Sequence, residues 1–168
     1  MKHDCGRELI ARAIVIHGGK LLVNQARNAK TGIEYYALPG GHVDPGESCV
    51  AALRREFQEE LDAVLDVQGL GFVSESIYPG RHKDDGTRHE LVLYFYATLQ
   101  QPLSARKGQI RSPEPDKHFK WIELTTLSTI NLLPASVKHF LNNSTLHNDQ
   151  AAKKEESPHY VFNDSTRR

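Results

Sequence analysis

The chain has 168 residues, with 39% hydrophobic and 25% charged side chains, and 21 basic residues balance 21 acidic ones. That length fits one domain with room for a proper core, and the composition is ordinary for a water-soluble protein. A formal net charge of zero gives no global field toward nucleic acid or an anionic membrane. No apolar run reaches the length of a membrane-spanning helix, and the opening residues MKHDCGRELI show no leader pattern. The expectation is a cytoplasmic protein with no nucleic-acid or membrane partner. Cys5 and Cys49 have neither metal nor redox spacing and read as reduced thiols.

In chain order, Glu8 to Ile16 (ELIARAIVI) predicts a strand, rich in β-branched and apolar residues. His17, Gly18 and Gly19 form a tight turn, and Lys20 to Gln25 returns as the hairpin partner. A polar loop leads to the short apolar segment Tyr35–Leu38, which delivers the chain to Pro39, Gly40 and Gly41. A helix is expected from near Glu47 to about Leu61. Val64 to Tyr78 offers one or two strands, with Gly69 and Gly71 as places for a bulge. After the turn-forming loop Pro79–Thr87, Arg88 to Leu99 (RHELVLYFYATL) predicts a central strand covered on both faces. Gln100 to His118 is irregular, Phe119–Leu124 alternates like a strand, and Pro134 opens a short amphipathic helix reaching about Leu141. From residue 143 to 168 the sequence is polar and reads as a mobile tail, with His159, Tyr160, Val161 and Phe162 as its docking candidates. The folded domain is thus expected over residues 1–142, as a mixed sheet between helices.

The stretch from Gly40 to Ala63, GGHVDPGESCVAALRREFQEELDA, holds the chemistry. Glu56, Glu59 and Glu60 follow the i, i+3, i+4 rule and leave the helix on one side. Val50, Leu53, Phe57 and Leu61 supply an adjoining apolar face. Crowded carboxylates repel one another, and a divalent cation is the simplest compensation. Taken alone, E-x-x-E-E is more often a solvated charged face than a metal site.

The same stretch resembles the signature of the Nudix hydrolases, G-x5-E-x7-R-E-U-x-E-E-x-G-U, where U is a bulky apolar residue. Gly41, Glu47, Arg55, Glu56, Phe57, Glu59 and Glu60 all fall in place, and the looser likeness covers roughly residues 8 to 142. The resemblance implies an α/β/α sandwich with a mixed β-sheet and the catalytic loop–helix on one face. It also implies a hydrolase that cleaves the pyrophosphate linkage of a nucleoside diphosphate joined to another moiety X, with Mg²⁺ as cofactor and Mn²⁺ as substitute. By the same resemblance, Glu56, Glu59 and Glu60 bind metal with the carbonyl of Gly40. Glu59 or Glu56 handles the proton of the attacking water, Arg55 holds one of the carboxylates through a bidentate contact, and Glu47 ties the loop to the helix. A Mg²⁺-bound carboxylate cluster suits this chemistry, because the cation prefers oxygen ligands and neutralises phosphate charge.

Two positions depart from the pattern: Asp62 replaces glycine and Ala63 replaces a larger aliphatic residue. The glycine position often needs left-handed backbone, which aspartate tolerates better than most residues. A shifted or slightly strained helix end and a thinner contact at Ala63 are therefore expected. A further carboxylate commonly joins such a site from a loop before a Trp-bearing strand, which points to Glu114, then Asp116, ahead of Trp121, with Glu90 as another candidate. Substrate-contact candidates are Arg81, Arg88 and Glu114, although Arg81, His82, Lys83 and Arg88 equally read as solvated turn charge. Tyr36 and Trp121 read as core or rim aromatics rather than substrate stackers. X stays open between an ADP-ribose-like and a nucleoside triphosphate substrate, Pro79 being a single-residue pointer toward the former. The small-molecule partner is a nucleotide, and the chain is expected as a monomer or homodimer. The rival class is a non-catalytic nucleotide-sensing module, which would be expected to lose carboxylates that this chain keeps.

Overall fold

The computed structural model describes residues 7–80, 86–106, 108–143 and 159–164, the last through their backbone course. Strands β1 (Arg7–His17) and β2 (Lys20–Arg27) form the expected hairpin, with Gly18 and Gly19 at φ 55 and 74. Both turn residues need positive φ, which glycine reaches without a Cβ clash. The two strands pair only beside the turn, at Ile16↔Leu21 and His17↔Lys20. They then splay apart, and β4 (Gly40–His42) pairs antiparallel with β1 at Ile10–Arg12. A glycine loop is thereby fastened to the middle of the fold.

The long strands β5 (Leu65–Pro79) and β6 (Thr87–Leu99) pair antiparallel, and β6 runs parallel to β1. Register shifts interrupt β5 at Val67/Gly69 and Leu70/Phe72, matching the bulges expected there. Strand β9 (His118–Glu123) pairs with the side of β2 away from β1, and β3 (Glu34–Ala37) pairs with the far end of β2 on the side that β1 leaves open. The segment read as irregular contains a small hairpin, β7 (Ala105–Arg106) with β8 (Gln109–Ile110), the latter paired to β9. Two-residue strands are too short for any alternation to register in sequence. Strand β10 (His159–Asp164) lies parallel to the outer edge of β5.

Alternation along β1 divides its side chains between two cores, which is why it reads as an unbroken apolar run. Ile10 and Ile14 join Phe72, Val92 and Tyr94 beneath helix α2 (Ala135–Asn143). Phe140 of α2 stacks on Phe72 with ring centroids 4.9 Å apart. Ala11, Ala13 and Val15 join Leu53, Phe57 and Leu61 of helix α1 (Cys49–Leu61) on the opposite face. The small Ala11 and Ala13 are fully buried and let α1 approach closely. A mixed sheet between two helices is the expected α/β/α arrangement. Among the described residues, no helix is long and apolar enough to cross a membrane.

Helix α1 begins slightly later than expected because Ser48 caps it, its hydroxyl accepting from Ala51 N at 3.1 Å. Val50 stays half-buried, while Ala52 takes a fully buried place beside Leu53. Asp62 ends the helix at φ 48, ψ 44, the left-handed geometry anticipated for the glycine position. The amides of Asp62 and Ala63 close onto the Gln58 and Phe57 carbonyls at 3.2 Å each. Ala63 remains buried in the α1-side core despite its small side chain.

Candidate active site

The first turns of α1 and the glycine loop are joined by one guanidinium. Arg55 Nε and Nη2 donate to Glu47 Oε1 and Oε2, both at 3.0 Å. Nη2 also reaches the His42 carbonyl at 3.0 Å, and Nη1 donates to Glu56 Oε1 at 3.0 Å and Glu59 Oε2 at 3.3 Å. The bidentate contact of Arg55 therefore closes on Glu47, rather than on one of the carboxylates expected to bind metal. Its Nε–Nη2 edge faces the loop, leaving Nη1 alone to face the helix. Glu47 Oε2 further accepts from Asp44 N at 3.2 Å, so Glu47 does tie loop to helix. The neighbouring guanidinium holds the Glu47 carboxyl below the usual carboxylate range.

Gly40 and Gly41 are required by close approach. A Cβ on Gly40, at φ 127, would stand 2.2 Å from the Ala11 carbonyl oxygen. A Cβ on Gly41 would stand 2.2 Å from Glu56 Oε1. The carboxylate of Glu56 thus lies in the space that the missing side chain leaves open.

Glu60 is the most deeply buried of the three carboxylates. Its side chain is only 3% exposed and accepts from Lys117 Nζ. Burial pushes its carboxyl upward, with the Lys117 ammonium opposing that shift. The loop carrying Lys117 is fastened to the same residue through its main chain, Ser112 Oγ donating to the Glu60 carbonyl at 2.6 Å. Glu114, whose amide donates to Ser112 Oγ at 3.1 Å, acts electrostatically on both Glu60 and Lys117. The structure therefore brings this candidate to the catalytic helix, whereas Asp116 is exposed.

A cavity of about 300 Å³ opens here, and its wall includes Arg12, Gly40, Gly41, Arg55, Glu56 and Lys117. Arg88 does not line it: bound to Glu8, it stands at the start of β6, and Glu8 also faces His42 at 3.4 Å. Glu90 accepts from Tyr78 Oη away from the cavity wall. Arg81, His82, Lys83 and Cys5 lie outside the described residues. Tyr36 is buried beneath Lys120, whose Nζ sits 4.6 Å from the ring centroid, and the Trp121 ring lies 6.2 Å from that of His17. Both aromatics thus belong to packing. Cys49 is half-buried with its thiol pushed up by burial.

Two wall residues carried no sequence signal that singled them out. Arg12 is one of three Arg and Glu residues in β1, and its Nη1 donates to the Leu38 carbonyl. Lys117 is one lysine in a Pro-containing loop, and only tertiary contact marks it.

The donor chemistry fits a hard divalent cation. Glu56 and Glu59 both place an oxygen within 3.3 Å of Arg55 Nη1, so the two carboxylates converge on one cationic point. Glu60 is held by Lys117 instead, and among the described residues no three His, Cys, Asp or Glu side chains converge on a single metal position. Of the three carboxylates, Glu56 lines the cavity, together with Gly40.

Carboxylates from one helix, a glycine loop with open backbone space and cationic side chains on the facing wall define the class: a hydrolase of phosphoric anhydride bonds. The chain belongs to the NUDIX domain family, whose profile matches residues 7–143. Its activity is accordingly that of a pyrophosphohydrolase. A nucleoside triphosphatase NudI from Enterobacter sp. is 27% identical over 138 residues, spanning 77% of this chain and 91% of its own length. The NudI of Escherichia fergusonii is 29% identical over 140 residues, spanning 79% and 92%. Among solved structures, a MutT NUDIX hydrolase from Burkholderia pseudomallei superposes with a TM-score of 0.57 at 25% identity, covering 83% of this chain and 99% of that one.

Proposed function

We propose that the protein is a magnesium-dependent nucleoside triphosphate pyrophosphohydrolase, splitting its substrate with water into a nucleoside monophosphate and pyrophosphate. The observation that carries the reading is the meeting of the Glu56 and Glu59 carboxylates at Arg55 Nη1, with Glu56, Gly40 and Gly41 lining a cavity that Arg12 and Lys117 also wall. Two relatives named as nucleoside triphosphatases, each aligned over nine-tenths of its length, support a triphosphate over an ADP-ribose-like substrate. Pro79, the pointer toward the latter, ends β5 and lines no part of this cavity.

A bound divalent cation would neutralise phosphate charge and lower the pKa of the attacking water. Glu56, Glu59 and Glu60 are the residues that would hold it, with the Gly40 carbonyl. The chain's own contribution is positional. Arg55, locked by its fork on Glu47, keeps the Glu56 and Glu59 carboxylates oriented before substrate arrives. Either carboxylate would accept the proton of the nucleophilic water. Arg12 and Lys117 put positive charge on the wall where phosphate oxygens would lie. The catalytic unit is residues 1–142, with 143–168 as an appended tail that adds one edge strand. Retention of every carboxylate in the signature argues against a purely sensing module.

The test is a panel of nucleoside triphosphates, ADP-ribose and dinucleotides incubated with Mg²⁺, with products separated. At least one triphosphate should be cleaved, and cleavage should stop with EDTA. Turnover should drop at least about 10²-fold in Glu59→Gln and in Glu60→Gln. Cleavage of ADP-ribose alone would overturn the substrate assignment, and full activity in both variants would overturn the site.

A further inference from the structure

One charged pair stands apart from the rest of the cavity. Of the cationic groups on the wall, Arg55 is committed to Glu47 and Arg12 to the Leu38 carbonyl. Lys117 is instead paired with Glu60, a carboxylate that a metal ion would claim. The pair is built deliberately into the fold. Glu60 is 3% exposed at its side chain, a site where a lone carboxylate is costly and a counter-charge is needed. Lys117, at 35%, faces the cavity as well as Glu60. Ser112 pins the Lys117-bearing loop to the carbonyl of the same Glu60, which keeps that loop beside α1.

We infer that Lys117 is an internal counter-cation of Glu60 that metal binding displaces toward the cavity, where a substrate phosphate receives it. Metal and nucleotide binding are thereby coupled through one side chain. Without metal, Lys117 satisfies the buried carboxylate and is withheld from phosphate. With metal on Glu60, the ammonium has lost its anion while still lining the cavity, and an incoming phosphate oxygen replaces that anion. Lys117 is in this sense a positioning residue for Glu60 and a binding residue for the phosphate. The inference rests on the metal-dependent hydrolase reading, and its consequences are visible without turnover.

The test uses the wild-type protein and an amine-acylating succinimidyl ester, with the labelled lysines read by peptide mass spectrometry. Mn²⁺ binding is followed in parallel by electron paramagnetic resonance. Labelling of Lys117 should rise several-fold when Mn²⁺ is added and fall back when an α,β-imido nucleoside triphosphate follows. Lys120, whose Nζ donates to Tyr36 Oη at 2.9 Å and does not line the cavity, is the internal control and should not change. In Lys117→Met, Mn²⁺ should bind about fivefold more tightly, because its competitor for Glu60 is gone. If Mn²⁺ binds but Lys117 labelling stays constant or falls, the displacement is refuted. If labelling rises but the triphosphate analogue does not suppress it, the transfer to phosphate is refuted. Failure of the wild type to bind Mn²⁺ would instead overturn the underlying metal reading.

Discussion

Replacing Gly41 by alanine should abolish the site while largely sparing the fold. The added Cβ would lie 2.2 Å from Glu56 Oε1, 2.4 Å from its carboxyl carbon and 2.7 Å from Oε2. Contacts under 3.0 Å essentially do not occur, so the whole carboxylate must withdraw by the better part of an ångström. The Glu56 side chain can rotate, and Gly41 has no left-handed φ, so the backbone itself accepts alanine. The stability cost is then bounded by the Arg55–Glu56 bond, about 1.5–3 kcal/mol for a charge-assisted contact. The catalytic cost is larger in effect, because displacing a positioned group by about 1 Å can lower the rate on the order of 10²-fold. Gly40→Ala makes the contrast. There the clash is with the Ala11 carbonyl and Arg12 Cα of β1, and φ 127 is itself forbidding. Backbone strain alone costs about 1–3 kcal/mol before the collision is relieved. Urea unfolding and triphosphate turnover of the two variants separate the effects: Gly41→Ala should lose mainly rate and Gly40→Ala mainly stability. A Gly41→Ala protein with wild-type turnover would refute the claim that the glycine makes room for Glu56.

Further outcomes follow from single contacts. Glu47→Gln should lower Tm at neutral pH by weakening the fork with Arg55. Because Arg55 holds the Glu47 carboxyl below its ordinary value, the unfolded chain takes up this proton first as pH falls. The contribution is therefore complete above the unfolded-state value and is lost on descent through the lowered folded one. Glu47→Gln should show a shallower acid loss of Tm, and identical slopes for both proteins would contradict this. Asp62→Gly should stabilise by about 0.5–1 kcal/mol, since the residue sits at φ 48. A lower Tm would mean that the Gln58 Nε2–Asp62 Oδ1 bond at 2.7 Å outweighs the backbone relief. Phe57→Ala should cost about 3–5 kcal/mol in urea unfolding, because the ring is 1% exposed at the centre of the α1-side core. A loss under 1 kcal/mol would show that α1 is held to the sheet mainly by its polar contacts.

What the sequence determined by itself was local. The hairpin at Gly18–Gly19, the bulges in β5, the apolar face through Leu53, Phe57 and Leu61, and the left-handed end at Asp62 each depend on a few consecutive residues. Turn chemistry, period and backbone preference act over that range, so the residues themselves report them. The acidic helix was legible for the same reason, since i, i+3 and i+4 fix which side chains share a side. Tertiary structure decided how those side chains are used. Spacing placed Glu56, Glu59 and Glu60 together, but Glu60 is drawn into the interior by Lys117, 57 residues further along the chain. The fork of Arg55 chose Glu47 because the loop folds back over the helix, and Arg12 reached the cavity because β2 leaves β1 after its first residues. Charged groups act through space over a few ångströms, and which of them meet is settled only when distant segments pack. Sequence spacing located the carboxylates; the folded chain assigned each its partner.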